Sequence, residues 1–326
     1  MQTNQGKFKL AAIQAEPVWF DRDASTAKAC KLIEEAGASG VTLAAFSETW
    51  LPGYPFFIRT SPVAGAASRY LSNAVKVPSR TTDLLCQAAL RAGIDVVIGI
   101  VELNPETHGT VYATLLFIGR EGGILGKHRK LKPTLYERLM WGEGDAEGLQ
   151  VFERPYARIS GLNCWEHMMM LPGYALAAQG TQVHVAAWPT SGSLALERGK
   201  GLLLSQAFAA QAGCYVIAVG SIINPDNVDE PYRKAAEGLA RLPSGGSCII
   251  APGGAILDTA PHQEPAMLVV EADLNSVLEV KAICDIGGHY SRPDVLGLVV
   301  NGERRMPLSE LGNESVVSTS SADEPE

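Results

Sequence analysis

GLNCWEHMMMLPGY, residues 161–174, places one cysteine, Cys164, between an apolar run and a segment of helical composition. In open α/β folds, functional side chains are exposed where a strand ends and a helix begins. The positive end of a following helix and its free N–H groups would also lie near the sulfur. Most lone cysteines, however, are buried core thiols. This stretch alone therefore leaves Cys164 open as a core thiol, a metal ligand or a nucleophile.

The segments around Cys164 alternate between strand and helix patterns. Downstream, strands are predicted from 156 to Cys164 and over 182–189 and 215–223, and helices over 170–180 and 196–213. Upstream, strands are predicted over 8–14, 41–46 and 94–103, helices over 23–40 and 81–92, and a strand pair over 110–119 and 122–130. A strand-rich end covers 244–257 and 266–274. This order predicts a mixed α/β sheet architecture.

No linker-like segment divides residues 1–311, so a single domain is expected there. The final stretch, GNESVVSTSSADEPE (312–326), is polar, rich in serine and acidic. Such a segment has too little apolar surface to pack, and we predict a disordered tail.

The composition argues against several classes of partner. The chain of 326 residues carries 27 basic and 35 acidic side chains and has no basic cluster, which disfavours nucleic acid or an anionic membrane as partner. No apolar segment reaches the roughly 20 residues of a membrane span, and the N-terminus lacks a secretory pattern. The six cysteines are scattered without CxxC pairs, which disfavours a disulfide framework or a zinc site. A reduced, cytoplasmic protein is expected.

A nucleophilic thiol needs a group that accepts its proton. Glu48 follows the predicted strand 41–46 in AAFSETWLPGYP, with apolar residues before it and aromatic and Pro-Gly residues after it. Most glutamates are solvated loop carboxylates. In apolar surroundings the pKa of a carboxyl group rises towards the range of a catalytic base or acid, which favours Glu48 as the partner.

A third candidate region is GKHRKLKPTLYERLMWGEGD, 126–145, which is rich in charge. A solvated basic turn is the usual interpretation of such a run. Alternation along a strand, however, would place Lys130 on the opposite face from Arg129. Pro133 and the aromatic residues then indicate a structured loop.

His167 has two open interpretations, since it follows Cys164 by three residues. At that spacing it could share a helical face with the thiol and act as its base. It could instead pack against the loop and support it, which we favour because Glu48 is the stronger base candidate. The methionines 168–170 are expected in the core or in a pocket wall.

Four separated stretches stand in order along the chain: FSETWLPGYP (46–55), HRKLKPTLYERLMWGEGD (128–145), GLNCWEH (161–167) with QVHVAAWP (182–189), and GGHYSRPDV (287–295). Together they resemble the nitrilase branch of the carbon–nitrogen hydrolase superfamily, from about residue 8 to about residue 300. The resemblance implies an α/β fold of the four-layer α-β-β-α sandwich type, nitrilase-like in topology. Ser47 departs from the family, which commonly has proline before this glutamate.

The resemblance also assigns roles by position. The catalytic glutamate, lysine and cysteine correspond to Glu48, Lys130 and Cys164, and a second glutamate of the family's active site corresponds to Glu137. The predicted substrate-binding residues are Tyr54, Trp165, His167, Trp188 and Pro189.

The activity implied is hydrolysis of an organic nitrile to the acid and ammonia through a covalent thioimidate and thioester. An amidase or a cyanide-degrading enzyme of the same superfamily would share these residues, and a non-catalytic assembly protein with this fold is the alternative from another class. No metal or organic cofactor is implied. Homo-oligomers are expected, with dimers that extend into spirals or filaments.

Overall fold

The strands are short runs of branched and small apolar residues. The computed structural model describes residues 6–59, 64–189, 199–230, 232–242 and 244–302. In chain order the strands are β1 (Lys7–Gln14), β2 (Leu43–Phe46), β3 (Asp95–Leu103), β4 (Val111–Ile118), β5 (Ile124–Arg129), β6 (Phe152–Glu153), β7 (Arg158–Asn163), β8 (Val183–Ala187), β9 (Tyr215–Val219), β10 (Cys248–Ile250), β11 (Ile256–Thr259) and β12 (Ala266–Asp273).

Seven α-helices lie within the described residues. They are α1 (Arg22–Ala38), α2 (Ala64–Ser72), α3 (Arg80–Ala92), α4 (Met170–Ala178), α5 (Lys200–Ala212), α6 (Arg233–Ala240) and α7 (Leu274–Ile283). In the part of the chain that the structure describes, no helix is both long and apolar enough to cross a bilayer.

The strands form two six-stranded sheets, in the orders β12-β1-β2-β3-β4-β5 and β11-β10-β9-β8-β7-β6. In each sheet three central strands run parallel, β1-β2-β3 and β7-β8-β9, and their outer neighbours run antiparallel. Parallel neighbours need crossover connections, and helices supply them here: α1 lies between β1 and β2, and α4 and α5 join β7, β8 and β9. The two halves of the chain therefore repeat one strand–helix pattern.

The two sheets pack face to face, with helices on both outer faces. Alternation along β1 sends Leu10 into the core between the sheets and Ile13 into the core beneath α1 and α3. On the second sheet, Ile217 faces the first sheet and Val216 packs beneath α5 against Phe208. The predicted α-β-β-α sandwich is confirmed.

Several boundaries differ from the sequence-based expectation. The strand expected to end at Cys164 ends at Asn163, and residues 164–168 form a 3₁₀ turn before α4 begins at Met170. Helices α2, α6 and α7 were not predicted. The predicted tail 312–326, the domain boundary at 311 and the first residues of the predicted helix 196–213 lie outside the described residues.

The turn after β2 crosses β3 at very short range. A Cβ atom on Gly99 would lie 2.2 Å from the Ser47 carbonyl oxygen and 2.4 Å from the Thr49 nitrogen. Only glycine lets the two backbones approach so closely. Gly99 thereby fixes the position of Glu48, which lies between Ser47 and Thr49.

Candidate active site

Three strands end at one edge of the sandwich, and each is followed within two residues by a candidate residue. Glu48 lies two residues after β2, Lys130 follows the last residue of β5, and Cys164 follows the last residue of β7. The Glu48 N–H donates to the carbonyl of Trp188 at 3.2 Å, which ties the first sheet to the second at this edge. Strand ends from both sheets thus form the walls of one site.

The Lys130 ammonium lies at the centre of this site. Its Nζ atom donates to Glu48 Oε1 at 2.8 Å and to Glu137 Oε2 at 2.7 Å. Atoms of Glu48, Glu137 and the Cys164 thiol all lie within 4.8 Å of one another. All four side chains are buried. The four residues assigned to catalysis by the resemblance are therefore brought together.

Glu137 is held by three further features. It lies in a 3₁₀ turn, Leu135–Leu139, that begins after Thr134, and the Thr134 N–H donates to Glu137 Oε2 at 2.7 Å. The Tyr54 hydroxyl donates to Oε1 at 3.0 Å. Trp141 packs edge-on against Tyr54 and lies 5.4 Å from the Lys130 ammonium. The second glutamate is thus fixed by backbone and side chains together.

Burial and the imbalance of charge shape the protonation of the cluster. Burial raises the pKa of Glu48 to about 8, with Lys130 opposing and Glu137 reinforcing the shift. Burial alone would lower the pKa of Lys130, but the nearby Glu48, Cys164 and Glu137 raise it, so the amine stays charged. Burial also raises the pKa of the Cys164 thiol well above its usual value, against the pull of Lys130. The resting site therefore holds an ammonium ion, a protonated thiol and a carboxyl group that exchanges its proton near neutral pH.

Glu48, Glu137 and Cys164 are close enough to serve as three ligands of a metal ion. The Lys130 ammonium, however, already forms hydrogen bonds with both carboxylates. It takes the place that a metal cation would occupy between them. The donor set therefore fits proton transfer and anion stabilisation better than metal binding.

The backbone of Cys164 adopts a left-handed conformation, with φ of 49°. Such backbone is uncommon for a residue with a side chain, and it clusters at functional sites. The backbone N–H of Trp165 interacts with the Cys164 thiol and acts to lower its pKa, although burial raises that pKa overall. A backbone donor thus lies beside the thiol, although a 3₁₀ turn follows Cys164 where a helix had been expected.

A buried carboxylate, Glu166, joins the ends of β5 and β7. Glu166 accepts from the N–H of Asn163 at 2.8 Å and from the N–H of Leu131 at 2.8 Å. His128 Nε2 lies 3.0 Å from both of its oxygens. Burial alone would raise the pKa of Glu166, but His128 and the two N–H donors lower it. Since Asn163 and Leu131 are the neighbours of Cys164 and Lys130, Glu166 sets the distance between those residues.

The predicted substrate-binding residues lie in different environments. Tyr54 contacts the cluster through Glu137. Trp165 and Pro189 are half-buried, and Trp188 is fully buried with its Nε1–H donating to Ser205 Oγ at 3.0 Å. His167 stacks on Trp188 with ring centroids 5.2 Å apart. Three of these five residues thus bond to members of the cluster: Tyr54 through its hydroxyl to Glu137, His167 through Nδ1 to the Cys164 carbonyl, and Trp188 through its carbonyl to the Glu48 N–H.

The methionine run is not in the core. Met168, Met169 and Met170 are exposed and line a groove on the outer face of α4 and α5. They are exposed because the 3₁₀ turn carries the chain outward before α4 begins. The expectation of a core position was wrong, and that of a pocket wall applies to this groove.

Two other cysteines show what distinguishes Cys164. Cys214 and Cys248 are buried in the core beneath α5, and burial raises the pKa of each to about 12. Cys164 is equally buried, but it lies beside an ammonium ion and two carboxylates. All six cysteines are free thiols.

An α-β-β-α sandwich with a buried Glu–Lys–Cys cluster at its strand ends corresponds to a known class of hydrolases. The family described as "Carbon-nitrogen hydrolase" matches residues 9–282. The chain therefore belongs to the carbon–nitrogen hydrolase family.

Relatives similar in sequence extend over nearly the whole chain. "Nitrilase 2" from an unknown prokaryotic organism is 53% identical over 304 residues, covering 92% of this chain and 94% of that protein. The "Aliphatic nitrilase" of Rhodococcus rhodochrous is 36% identical, covering 93% of this chain and 85% of that protein. The "Arylacetonitrilase" of Aspergillus kawachii (strain NBRC 4308) is 37% identical, covering 93% and 94%.

A solved structure shows the same fold at low sequence identity. Saccharomyces cerevisiae Nit3, described as a member of branch 10 of the nitrilase superfamily, superposes with a TM-score of 0.68 at 19% identity. The match covers 87% of this chain and 96% of that one. This likeness supports the sandwich architecture.

Proposed function

We propose that this chain is a nitrilase, which hydrolyses organic nitriles to the carboxylic acid and ammonia through a covalent bond to Cys164. The observation that carries the proposal is the Lys130 ammonium, bonded to both Glu48 and Glu137 beside the Cys164 thiol. The relatives with nitrilase names support the choice of substrate.

The first step is attack by sulfur on the nitrile carbon. A nitrile carbon is a modest electrophile, and a thiolate attacks it better than a hydroxyl group does. Ionised Glu48 takes the proton of the Cys164 thiol, sulfur bonds to carbon, and the proton passes from Glu48 to the nitrile nitrogen. The product is a thioimidate on Cys164, and Glu48 is ionised again.

Water then adds to the thioimidate carbon, with Glu48 as its base. The tetrahedral centre that forms carries negative charge, which the Lys130 ammonium and the Trp165 N–H stabilise. Transfer of a proton to nitrogen releases ammonia and leaves a thioester. A second water molecule releases the acid and restores the thiol. Expulsion of sulfur from the tetrahedral centre instead releases the amide, so some amide by-product is expected.

Product analysis tests the proposal directly. The purified protein is incubated with a nitrile and, separately, with the matching amide, and acid, amide and ammonia are quantified. Acid and ammonia from the nitrile, exceeding turnover of the amide, support a nitrilase. Faster hydrolysis of the amide would identify an amidase, and activity confined to hydrogen cyanide would identify a cyanide-degrading enzyme.

For the substrate class, we favour aliphatic and arylaliphatic nitriles over cyanide. Tyr54 and Trp141 form an apolar wall beside Glu137 and Lys130. Burying an alkyl or aryl group against such a wall contributes roughly 25 cal/mol per Å². A kinetic panel of cyanide, a short dinitrile, phenylacetonitrile and benzonitrile ranks them by kcat/KM, and a preference for cyanide would contradict this choice.

We also propose that the protein forms homo-oligomers, with dimers paired through the outer face of α4 and α5. A groove of about 830 Å³ with mainly apolar side chains runs along this face. Met170 and Leu171 line the groove and are exposed by 82% and 64%, and Leu203 of α5 is exposed by 66%. Light scattering of the wild type and of Leu203→Glu tests the pairing, and an unchanged mass would contradict it.

A cytoplasmic location is proposed from the six free thiols, because disulfides are rare in a reducing compartment.

A further inference from the structure

A chain of partly and fully buried hydrogen bonds begins at the carbonyl oxygen of the proposed nucleophile. His167 Nδ1 lies 2.7 Å from the Cys164 carbonyl oxygen, and His167 Nε2 lies 3.0 Å from His184 Nε2. His184 Nδ1 lies 2.8 Å from Ser160 Oγ, which lies 2.7 Å from Thr181 Oγ1. The mechanism proposed for nitrile hydrolysis does not use the side chains of His167, His184, Ser160 or Thr181.

The chemistry of the two ends fixes the direction of the chain. A carbonyl oxygen only accepts, so His167 carries its proton on Nδ1 and its Nε2 accepts from His184. His184 then carries its proton on Nε2, and its Nδ1 accepts from the Ser160 hydroxyl. Both rings must be neutral for this pattern. Burial, the largest cause, lowers the pKa of His167 to about 4 and that of His184 well below its usual value.

Aromatic neighbours hold both rings in place. His167 stacks on Trp188 at a centroid distance of 5.2 Å, and His184 stacks on Phe208 at 4.0 Å. Trp188 is anchored in turn by its hydrogen bond to Ser205. Rotation of either imidazole would break a stack as well as a hydrogen bond.

The bond to the Cys164 carbonyl has a consequence on the other side of the same peptide group. A trans peptide directs its C=O and its N–H in opposite directions. With the carbonyl held by His167, the N–H of Trp165 is held towards the Cys164 sulfur, where it lowers the pKa of the thiol in part. Cys164 has a left-handed φ, which is unfavourable for a residue with a side chain. Contacts from outside the peptide are therefore needed to keep it in this orientation.

We propose that His167 and His184 are positioning residues that lock the 164–165 peptide, so that the Trp165 N–H stays aimed at the sulfur and at the anion formed on attack. His167 contacts the peptide, and His184 fixes the tautomer of His167. This inference rests on the proposed function for its effect on turnover, but the lock itself concerns the thiol and is measurable without turnover.

Three variants separate the parts of the lock. His167→Leu removes the donor to the carbonyl. His167→Asn keeps a donor, because its side-chain amide nitrogen reaches the place of Nδ1. His184→Phe keeps a flat ring against Phe208 and removes the donor to His167. His262→Leu is the matched control, since His262 Nδ1 also lies near a backbone carbonyl, that of Ser244 at 3.3 Å, outside the chain described here.

Steady-state kinetics on a nitrile are the first readout. We expect kcat to fall about 10- to 100-fold in His167→Leu with KM within about threefold, because a misplaced oxyanion donor costs less than the 100- to 1,000-fold loss of a deleted one. His167→Asn should retain at least about a third of kcat, and His184→Phe should fall between the two. His262→Leu should keep the wild-type kcat.

The second readout is the rate at which iodoacetamide alkylates Cys164, followed by peptide mass at fixed pH. We expect about a 3- to 10-fold slower reaction in His167→Leu and a rate near wild type in His167→Asn. Equal losses in the leucine and asparagine variants, a rise in KM with unchanged kcat, or wild-type alkylation in both His167→Leu and His184→Phe would overturn the proposal. A wild type inactive on every nitrile would overturn the proposed function instead, and alkylation would still decide the lock.

Discussion

Two buried clusters of charged side chains lie on opposite faces of the end of β5, and they differ in their ratio of cations to carboxylates. Successive side chains point to opposite faces, so Lys127 and Arg129 reach Glu102, whereas Lys130 reaches the site beside Cys164. Arg129 donates to Glu102 at 2.7 and 2.9 Å, and Lys127 completes that cluster. Two cations thus surround one carboxylate on one face, and one cation lies between two carboxylates and a thiol on the other.

The two carboxyl groups respond in opposite directions to similar burial. Burial alone would raise the pKa of Glu102, but hydrogen bonds and charge from Arg129 and Lys127 lower it. Burial raises the pKa of Glu48 to about 8, since its single cation is shared with Glu137. An excess of cations makes a carboxylate permanently charged and inert, whereas a shortage leaves it able to exchange a proton. Charge balance, more than burial, distinguishes the cluster around Glu102 from the proposed catalytic cluster.

The largest expected effect comes from removing the Cys164 sulfur, which has no counterpart in the Glu102 cluster. Cys164→Ala should abolish nitrile hydrolysis and leave the fold intact, because no other side chain of the cluster can form the thioimidate. Turnover measures the loss of hydrolysis, and circular dichroism measures whether the fold is intact. With the wild type and a slow nitrile, intact-mass analysis should show an adduct at Cys164. An adduct on Cys214 or Cys248 would contradict the assignment.

The next effect concerns the two charged partners of the thiol. Glu48→Gln and Lys130→Arg should each lower kcat about 100- to 10,000-fold, since glutamine accepts no proton and the planar guanidinium misplaces the charge. Both are measured as initial rates of ammonia release. Arg129→Lys on the opposite face is the matched control and should keep kcat within about tenfold. Wild-type turnover in either site variant would show that its role is misassigned.

Glu102→Gln should lower the free energy of unfolding, whereas Glu48→Gln should lower kcat. Removing one partner of a buried ion pair costs about 3–5 kcal/mol, because the remaining charges stay buried without compensation. Urea unfolding measures the change in free energy. The pKa of Glu102 is lowered in the folded state, so its contribution is present above the unfolded value near 4.3 and is lost as pH falls through the folded value. A loss of stability that persists unchanged at low pH would contradict this reasoning.

The sequence predicted the parts of the site that depend on strand ends. Glu48, Lys130 and Cys164 each follow a strand that alternation or apolar runs had indicated, and Lys130 does face away from Arg129. Charge balance around each residue could not be predicted, because it depends on partners that folding brings together. Glu102 lies 27 residues before Arg129, and Glu48 lies 82 residues before Lys130.

The pairing of the supporting residues could not be predicted for a related reason, although His167 itself was expected to support the loop. His128 and Glu166 are 38 residues apart, and His167 and His184 are 17 apart. A polar side chain at a buried strand position, such as His184 in the apolar run of β8, was the available signal. Helix α7 was missed because it begins directly after β12, where Asp273 ends the strand and caps the helix with no turn residues between them.

A smaller effect is expected in the pH profile, and it sharpens the contrast between the two carboxyl groups. Ionised Glu48 is the proposed base, and its pKa lies at about 8. Below that value kcat/KM should fall about tenfold per pH unit, because kcat/KM reports groups of the free enzyme. Glu102→Gln should leave the midpoint in place. A midpoint near the ordinary value of a glutamate, about 4.3, would contradict the assignment of Glu48 as the base.

The smallest effect should come from Tyr54→Phe, which removes one hydrogen bond from the reactive cluster without changing its charge. Burial raises the pKa of Tyr54 well above its usual value, so the hydroxyl is a neutral donor to Glu137. Glu137 keeps the Lys130 ammonium and the Thr134 N–H, at 2.7 Å each, and these two bonds suffice to orient it. We therefore expect kcat to fall less than about tenfold, which is less than about 1.4 kcal/mol and so below the 1.5–3 kcal/mol typical of a hydrogen bond to a charged group. Steady-state kinetics measure the change, with Tyr112→Phe, on the Glu102 side of the sheet, as the matched control. A loss as large as that of Lys130→Arg would mean that Tyr54 itself contacts the reacting atoms. In that case the Tyr54 hydroxyl, as well as the Lys130 ammonium, would stabilise the carboxylates of the cluster.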